Sequence, residues 1–192
     1  MKIRARLYAR IVLFLLSGIC AASQTAAQNR SETKALSAIY LRPVAFPELP
    51  SDVLKNLEQR GCQIPQQAYT HERTNVIHGE FAHAGQIDWA VLCSVHSTSR
   101  ILVYWNGNGQ NPAEITPAKD SAFSFKDAAG KVQFLRGISA VNKKFILTHY
   151  QAYGGPTPPP IDHAGINDAV LEKASIVWYF YREAWLALSG AD

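Results

Sequence analysis

Two stretches decide how this chain is read. The first is His83-Ala84-Gly85-Gln86-Ile87-Asp88-Trp89-Ala90-Val91-Leu92; the second, 80 residues on, is His163-Ala164-Gly165-Ile166-Asn167-Asp168-Ala169-Val170-Leu171. Each runs into a second apolar, aromatic stretch, at 101–105 and 176–180. A Gly-x-x-Asp turn that launches one strand and then another is a hairpin unit. At Gly85 and Gly165 the spacing predicts a positive φ or a close chain approach, which glycine supplies at little steric cost. At Asp88 and Asp168 it predicts a carboxylate accepting backbone N–H groups across the turn. Two such units predict a mainly β (α+β) fold, with antiparallel sheets built from related hairpins.

Outward from these phrases, strand and turn signals alternate. Strands are expected at 76–81, 88–95 and 100–105, the last ending at the turn Asn106-Gly107-Asn108-Gly109. The runs 123–125 and 132–135 flank a polar, Gly-containing connection and read as a hairpin. Residues 141–150 read as a strand, and 154–160, with four prolines, as an exposed loop or polyproline II spacer. Residues 178–181 and 185–188 form a final hairpin around Arg182-Glu183-Ala184. One helix is expected, at 51–60. Ser51 serves as its N-cap, Asp52 suits its dipole, Val53, Leu54 and Leu57 share a face, and Gly61 ends it.

The N-terminus speaks to compartment. Lys2, Arg4, Arg6 and Arg10 precede an apolar run at 11–19 that is too short to span a bilayer, and small residues lead to a cleavage site after Ala27. The reading is a signal peptide over 1–27, an extended arm over 28–47 and a single β-rich domain over 48–192, secreted or periplasmic. Cys20 raises lipidation, but Ile19 stands where lipoboxes carry a small residue. The chain has 19 Lys and Arg against 15 Asp and Glu; the leader holds four of the basic residues and none of the acidic. The mature chain is therefore neutral, which leaves no basic patch for nucleic acid, and no later segment is long and apolar enough to predict a membrane span. Its two cysteines, Cys62 and Cys93, read as a disulfide in an oxidising compartment.

The pattern Gly79-x-Phe81 followed by Gly85-x-x-Asp88-Trp89-Ala90-Val91-Leu92 resembles the FG-GAP or VCBS-type repeat. That resemblance implies blade-like units and a loop that often holds Ca²⁺. The mature chain is too short for a full propeller, so two or three blade-like units in one sheet assembly are expected. Arg60-Gly61-Cys62-Gln63-Ile64-Pro65-Gln66, together with both phrases, also resembles a group of uncharacterised secreted bacterial proteins. Calcium-binding loops of the repeat family resemble Asp-x-Asp-Gly-x-x-Asp. The first copy has Ala82, His83 and Ala84 there, leaving Asp88 alone; the second has Asp162, Asn167 and Asp168. Calcium needs six to eight oxygen ligands, so only the second copy is a candidate.

The six histidines show no zinc spacing. If the Pro-rich loop folds back, His149, Asp162 and His163 meet near Asn167 and Asp168, a cluster suited to a metal or a general base. No catalytic residue is assigned: a Gly-x-Ser-x-Gly elbow is lacking, and both mature cysteines are paired. Tyr150, Tyr153, Trp178 and Trp185 are candidates for a binding face. The expected function is a non-catalytic binding or interaction module of the cell envelope, its partner a protein, peptide or glycan. The alternatives are a small metal-dependent hydrolase using the His149/Asp162/His163 region, and a Ca²⁺-stabilised structural module. No cofactor is expected beyond that candidate Ca²⁺.

Overall fold

In the structure, a computed structural model that describes residues 40–191, the chain enters at β1 (Tyr40–Leu41), which pairs antiparallel with β2 (Ile64–Pro65). The predicted leader and the arm over 28–39 lie outside the described residues. The end of the predicted arm is not extended. Residues Pro43–Ala45 form a 3-10 turn, and Phe46 is fully buried.

Helix α1 (Ser51–Gln59) follows. Nine residues make a marginal helix in isolation. This one is held by Val53 and Leu57, both at 0% exposure, and full burial of such side chains stabilises by about 1.5–3 kcal/mol each. Pro50, not Ser51, occupies the N-cap. At the other end Gly61 adopts φ +67°, and the Cys62 N–H returns to the Leu57 carbonyl, the glycine stop that the sequence predicts. The Cys62 and Cys93 sulfurs lie at disulfide distance with Cα atoms 5.4 Å apart, so the helix end is pinned to the first sheet.

That sheet is a meander of β3 (Val76–Gly79), β4 (Asp88–Val95), β5 (Thr98–Tyr104) and β6 (Ala113–Lys119). Its fourth strand has no apolar alternation to announce it. Glu114, Pro117 and Lys119 mark it as an edge. A short hairpin, β7 (Ser124–Lys126) with β8 (Val132–Phe134), leads to the second meander: β9 (Arg136–Val141), β10 (Gly165–Val170), β11 (Ser175–Tyr181) and β12 (Ala184–Ser189).

The strand expected over 141–150 is corrected. After β9 the chain turns into helix α2 (Lys143–Tyr153). Asn142 is its N-cap, and its side-chain oxygen accepts the Phe145 N–H. Phe145, Ile146, His149 and Tyr150 recur at helical spacing, and Ile146 is fully buried. The β-branched and aromatic content of the run disguised that period.

Three apolar clusters set the layers. Val53 and Leu57 of α1 pack with Val91, Cys93, Leu102 and Tyr104 on one face of the first sheet. Its other face, through Ala90, Leu92, Ile101 and Val103, meets Ile138 and Ile166 of the second sheet. The far face of the second sheet, through Val177, Tyr179 and Leu188, packs on Ile146 of α2. The order is helix, sheet, sheet, helix, with strand alternation dividing each sheet between two cores. Among the described residues no helix is long and apolar enough to cross a membrane.

Candidate binding cleft where the two sheets meet

The second sheet opens with a charged residue in an apolar setting. Arg136, the first residue of β9, is 1% exposed. A buried guanidinium must be paired and hydrogen-bonded to persist. Its partner is Asp168, in the adjacent strand β10. Nε donates to Oδ1 and Nη2 to Oδ2, each at 2.8 Å. This fork-on-fork geometry is the strongest form of the pair. The remaining donors reach the first sheet: Nη2 donates to the Thr116 hydroxyl at 2.8 Å, and Nη1 to the Ser99 hydroxyl at 3.4 Å. The Phe123 ring lies 4.8 Å from the guanidinium carbon, a cation–π contact. Trp178 Nε1–H completes the carboxylate at 3.3 Å.

Thr116 adopts φ +44°, an uncommon conformation for a β-branched residue. It sits in β6 within an irregularity in the β5–β6 register, between the paired Ile115 and Ala118, and both its carbonyl and its hydroxyl face Arg136. The left-handed backbone supplies acceptors to a buried cation, and strain held by its surroundings in this way is typical of sites.

Above the ion pair lies a cleft of about 390 Å³. Thr116, Pro117 and Phe123 form one wall; Val170, Ile176 and Trp178 form the other. Ile176 is 44% exposed at the rim. The walls are apolar, and the polar floor has its donors and acceptors engaged with each other. A larger hollow of about 490 Å³ lies between the polar face of α1 (Asp52, Lys55, Gln59) and Gly109-Gln110-Asn111, but it has no aromatic wall.

The phrase residues divide. Asp88 is fully buried and braces a turn, as its spacing predicts: Oδ2 accepts the Phe81 and Ala82 N–H groups at 3.0 and 2.8 Å, and Oδ1 accepts Asn106 N–H and Gln86 Nε2 at 2.8 and 2.6 Å. Gly85 has φ +86°. The second copy does not repeat this. Gly165 lies inside a strand without positive φ, and Asp168 is in mid-strand, held by Arg136. The expectation of two equivalent braced turns is corrected accordingly.

The predicted metal cluster does not assemble. His149 turns Nδ1 to the Phe145 carbonyl at 2.8 Å and packs on Phe145 and Tyr153. His163 stacks on Tyr179 with ring centres 4.2 Å apart, and its Nε2 lies 3.8 Å from Asp162. Burial raises the pKa of the Tyr179 hydroxyl, which accepts the Asp162 N–H and donates to the Asp162 carboxylate. Asn167 is buried, and both Asp168 oxygens are occupied. Among the described residues no three His, Cys, Asp or Glu side chains converge to hold a metal ion.

The four aromatic candidates also separate. Tyr150 and the exposed Tyr153 are on α2. Trp185 stacks on Trp105 at 5.8 Å. Only Trp178 reaches the cleft. Arg136, Thr116 and Phe123 were not among the sequence candidates. One signal for Arg136 was present: a lone charge between Leu135 and Gly137-Ile138 in an apolar run. No protein-family model matches the chain, and neither a curated protein nor a solved structure matches it.

Proposed function

We propose that this protein is a secreted or periplasmic binding module, non-catalytic, that takes an apolar side chain of a protein or peptide partner into the cleft between its two sheets. The observation that carries the reading is the cleft itself. Its walls are apolar and aromatic, and its floor is an ion pair whose groups are already satisfied. Such a site offers shape and apolar contact, with specificity from the rim, and no free nucleophile or base. The leader-like N-terminus supports export, and the Cys62–Cys93 pair suits an oxidising compartment. In this reading the two meanders are related units, and the FG-GAP-like phrase is the brace of the first.

The test is a titration with N-acetyl-phenylalanine amide and N-acetyl-leucine amide, followed by tryptophan fluorescence. A saturable change, absent in Ile176→Glu, is expected. A linear response in the wild type, or an unchanged one in the variant, sinks the reading. Export is tested separately, by expressing the full chain and sequencing the N-terminus of the processed product; Gln28 is expected first.

A further inference from the structure

Past the end of α1, the first sheet carries two arginines over an apolar floor. On β5, Arg100 shares the α1-facing side with Leu102 and Tyr104 by strand alternation. It stands opposite Cys93 on β4. Arg60 is the C-cap residue of α1. Arg60 and Arg100 line a hollow of about 160 Å³ whose remaining walls are Cys93, Val95 and Leu102. Glu114, on β6, ties the arginines together: Arg60 Nη1 donates to its Oε1 and Arg100 Nη1 to its Oε2, each at 2.9 Å. Burial raises the Glu114 carboxyl, but the hydrogen bonds from Arg100 and Arg60 outweigh that and hold the group ionised, below its ordinary range. One carboxylate thus faces two guanidiniums, and one positive charge is left over.

The donors are unevenly used. Arg60 Nε is spent on Asn56 Oδ1 at 2.9 Å. Arg100 Nε–H is buried and has no partner among the described residues, and none of them accepts from Nη2 of either arginine. An orphaned buried donor calls for an explanation. Nε and Nη2 form the guanidinium edge with which Arg136 grips Asp168 through two parallel bonds. Arg100 carries the same fork, and no carboxylate among the described residues fills it.

We infer that this hollow binds an aliphatic carboxylate, either a free short-chain acid or the C-terminal group of a peptide. The Arg100 fork and Arg60 Nη2 take the oxygens, and the carbon chain lies against Val95, the half-buried residue of the floor. A monoanion cancels the one excess charge, whereas a dianion also meets the nearby Glu114 carboxylate. The floor is apolar, so a carbon chain gains there what a bare inorganic ion does not. The inference does not rest on the cleft, which lies where the two sheets meet.

The experiment follows the arginine Nε–H signals of the folded protein in heteronuclear correlation spectra. Sodium isovalerate, sodium N-acetyl-leucinate, N-acetyl-leucine amide and sodium sulfate are each added at fixed pH and ionic strength. Saturable shifts of the Arg60 and Arg100 signals are expected with both carboxylates, with Kd about millimolar. The tighter of the two names the source: isovalerate a free acid, N-acetyl-leucinate a chain end. The neutral amide is expected to leave these signals in place, and sulfate to bind at least about tenfold more weakly than the carboxylates. Arg100→Lys keeps the charge but loses the fork, so carboxylate binding about tenfold weaker, read at Arg60, is expected. A merely linear drift with both carboxylates overturns the inference, as does an amide that shifts the signals as the carboxylates do. Sulfate that binds as tightly as they do (an adventitious ion only) overturns it too, and so does an Arg100→Lys variant that binds as the wild type does. Should that variant lose its melting transition, the four wild-type titrations decide alone.

Discussion

In the first sheet the aspartate of the repeated phrase opens its strand and is caged by four N–H donors; in the second it lies three residues deep and faces a guanidinium. The cause is the connection before each strand. Between β3 and β4 the pairing stops at Gly79 opposite Asp88, and residues 80–87 must turn within a short loop. That loop needs a positive φ and a brace. Between β9 and β10 the chain has α2 and the Pro-rich segment in which to reverse, so β10 pairs with β9 from Gly165 onward. The same words are thus a turn in one place and a strand in the other. A phrase of six residues sets chemistry, but its neighbours set register.

The comparison breaks most easily at the ion pair. Asp168→Ala leaves the Arg136 cation buried and unpaired, and a loss of about 3–5 kcal/mol in urea unfolding is expected. The double replacement Arg136→Met with Asp168→Leu, which removes both charges, should recover most of it. A loss below about 1 kcal/mol for Asp168→Ala would mean that the guanidinium is solvated and that the cleft has no fixed floor. The disulfide comes next, and it bears on the first sheet alone. Cys62→Ser with Cys93→Ser should lower stability by about 3–4 kcal/mol in the chain-entropy model. Thiol titration of the denatured, unreduced mature protein should find neither cysteine free. Asp88→Ala should cost less, about 2 kcal/mol, because water can reach Asn106 and the Gln86 amide once the carboxylate is gone. If Asp88→Ala costs more than Asp168→Ala, the caged turn is the more demanding of the two.

What was legible in the sequence follows local physics. The α1 stop at Gly61, the strand over 88–95, the Arg182-Glu183 tip and the cysteine pair each depend on a few adjacent residues or on compartment chemistry, and each is found. Helix α2 was hidden because Phe145-Ile146-Leu147-Thr148 favours strand by propensity while packing on Val177 and Tyr179 favours helix. The cleft was less legible still. Arg136 and Asp168 are 32 residues apart and meet through the pairing of β9 with β10, and Thr116 joins them only because the two sheets pack face to face, which no spacing rule encodes. The candidate histidines failed for the complementary reason. His149 and His163 looked close along a loop, but α2 commits the first to its own helix and Tyr179 claims the second.

The smallest expected effect sharpens the comparison most, because it asks the same substitution at both copies. At Gly85 the space around a new Cβ is empty, but φ is +86°. Ala there meets backbone strain alone, about 1 kcal/mol. At Gly165 the backbone is ordinary, but a Cβ would lie 2.7 Å from Val177 Cγ1 and 3.3 Å from the Trp178 carbonyl. Ala there meets overpacking, about 1–3 kcal/mol. Asparagine separates the two causes, since it tolerates the left-handed region and is larger than alanine. Gly85→Asn should therefore be milder than Gly85→Ala, whereas Gly165→Asn should be worse than Gly165→Ala. Thermal melts of the four variants give the order directly. The same order at both positions would mean that the two glycines serve one purpose, and that the phrase is a repeat in structure as well as in sequence.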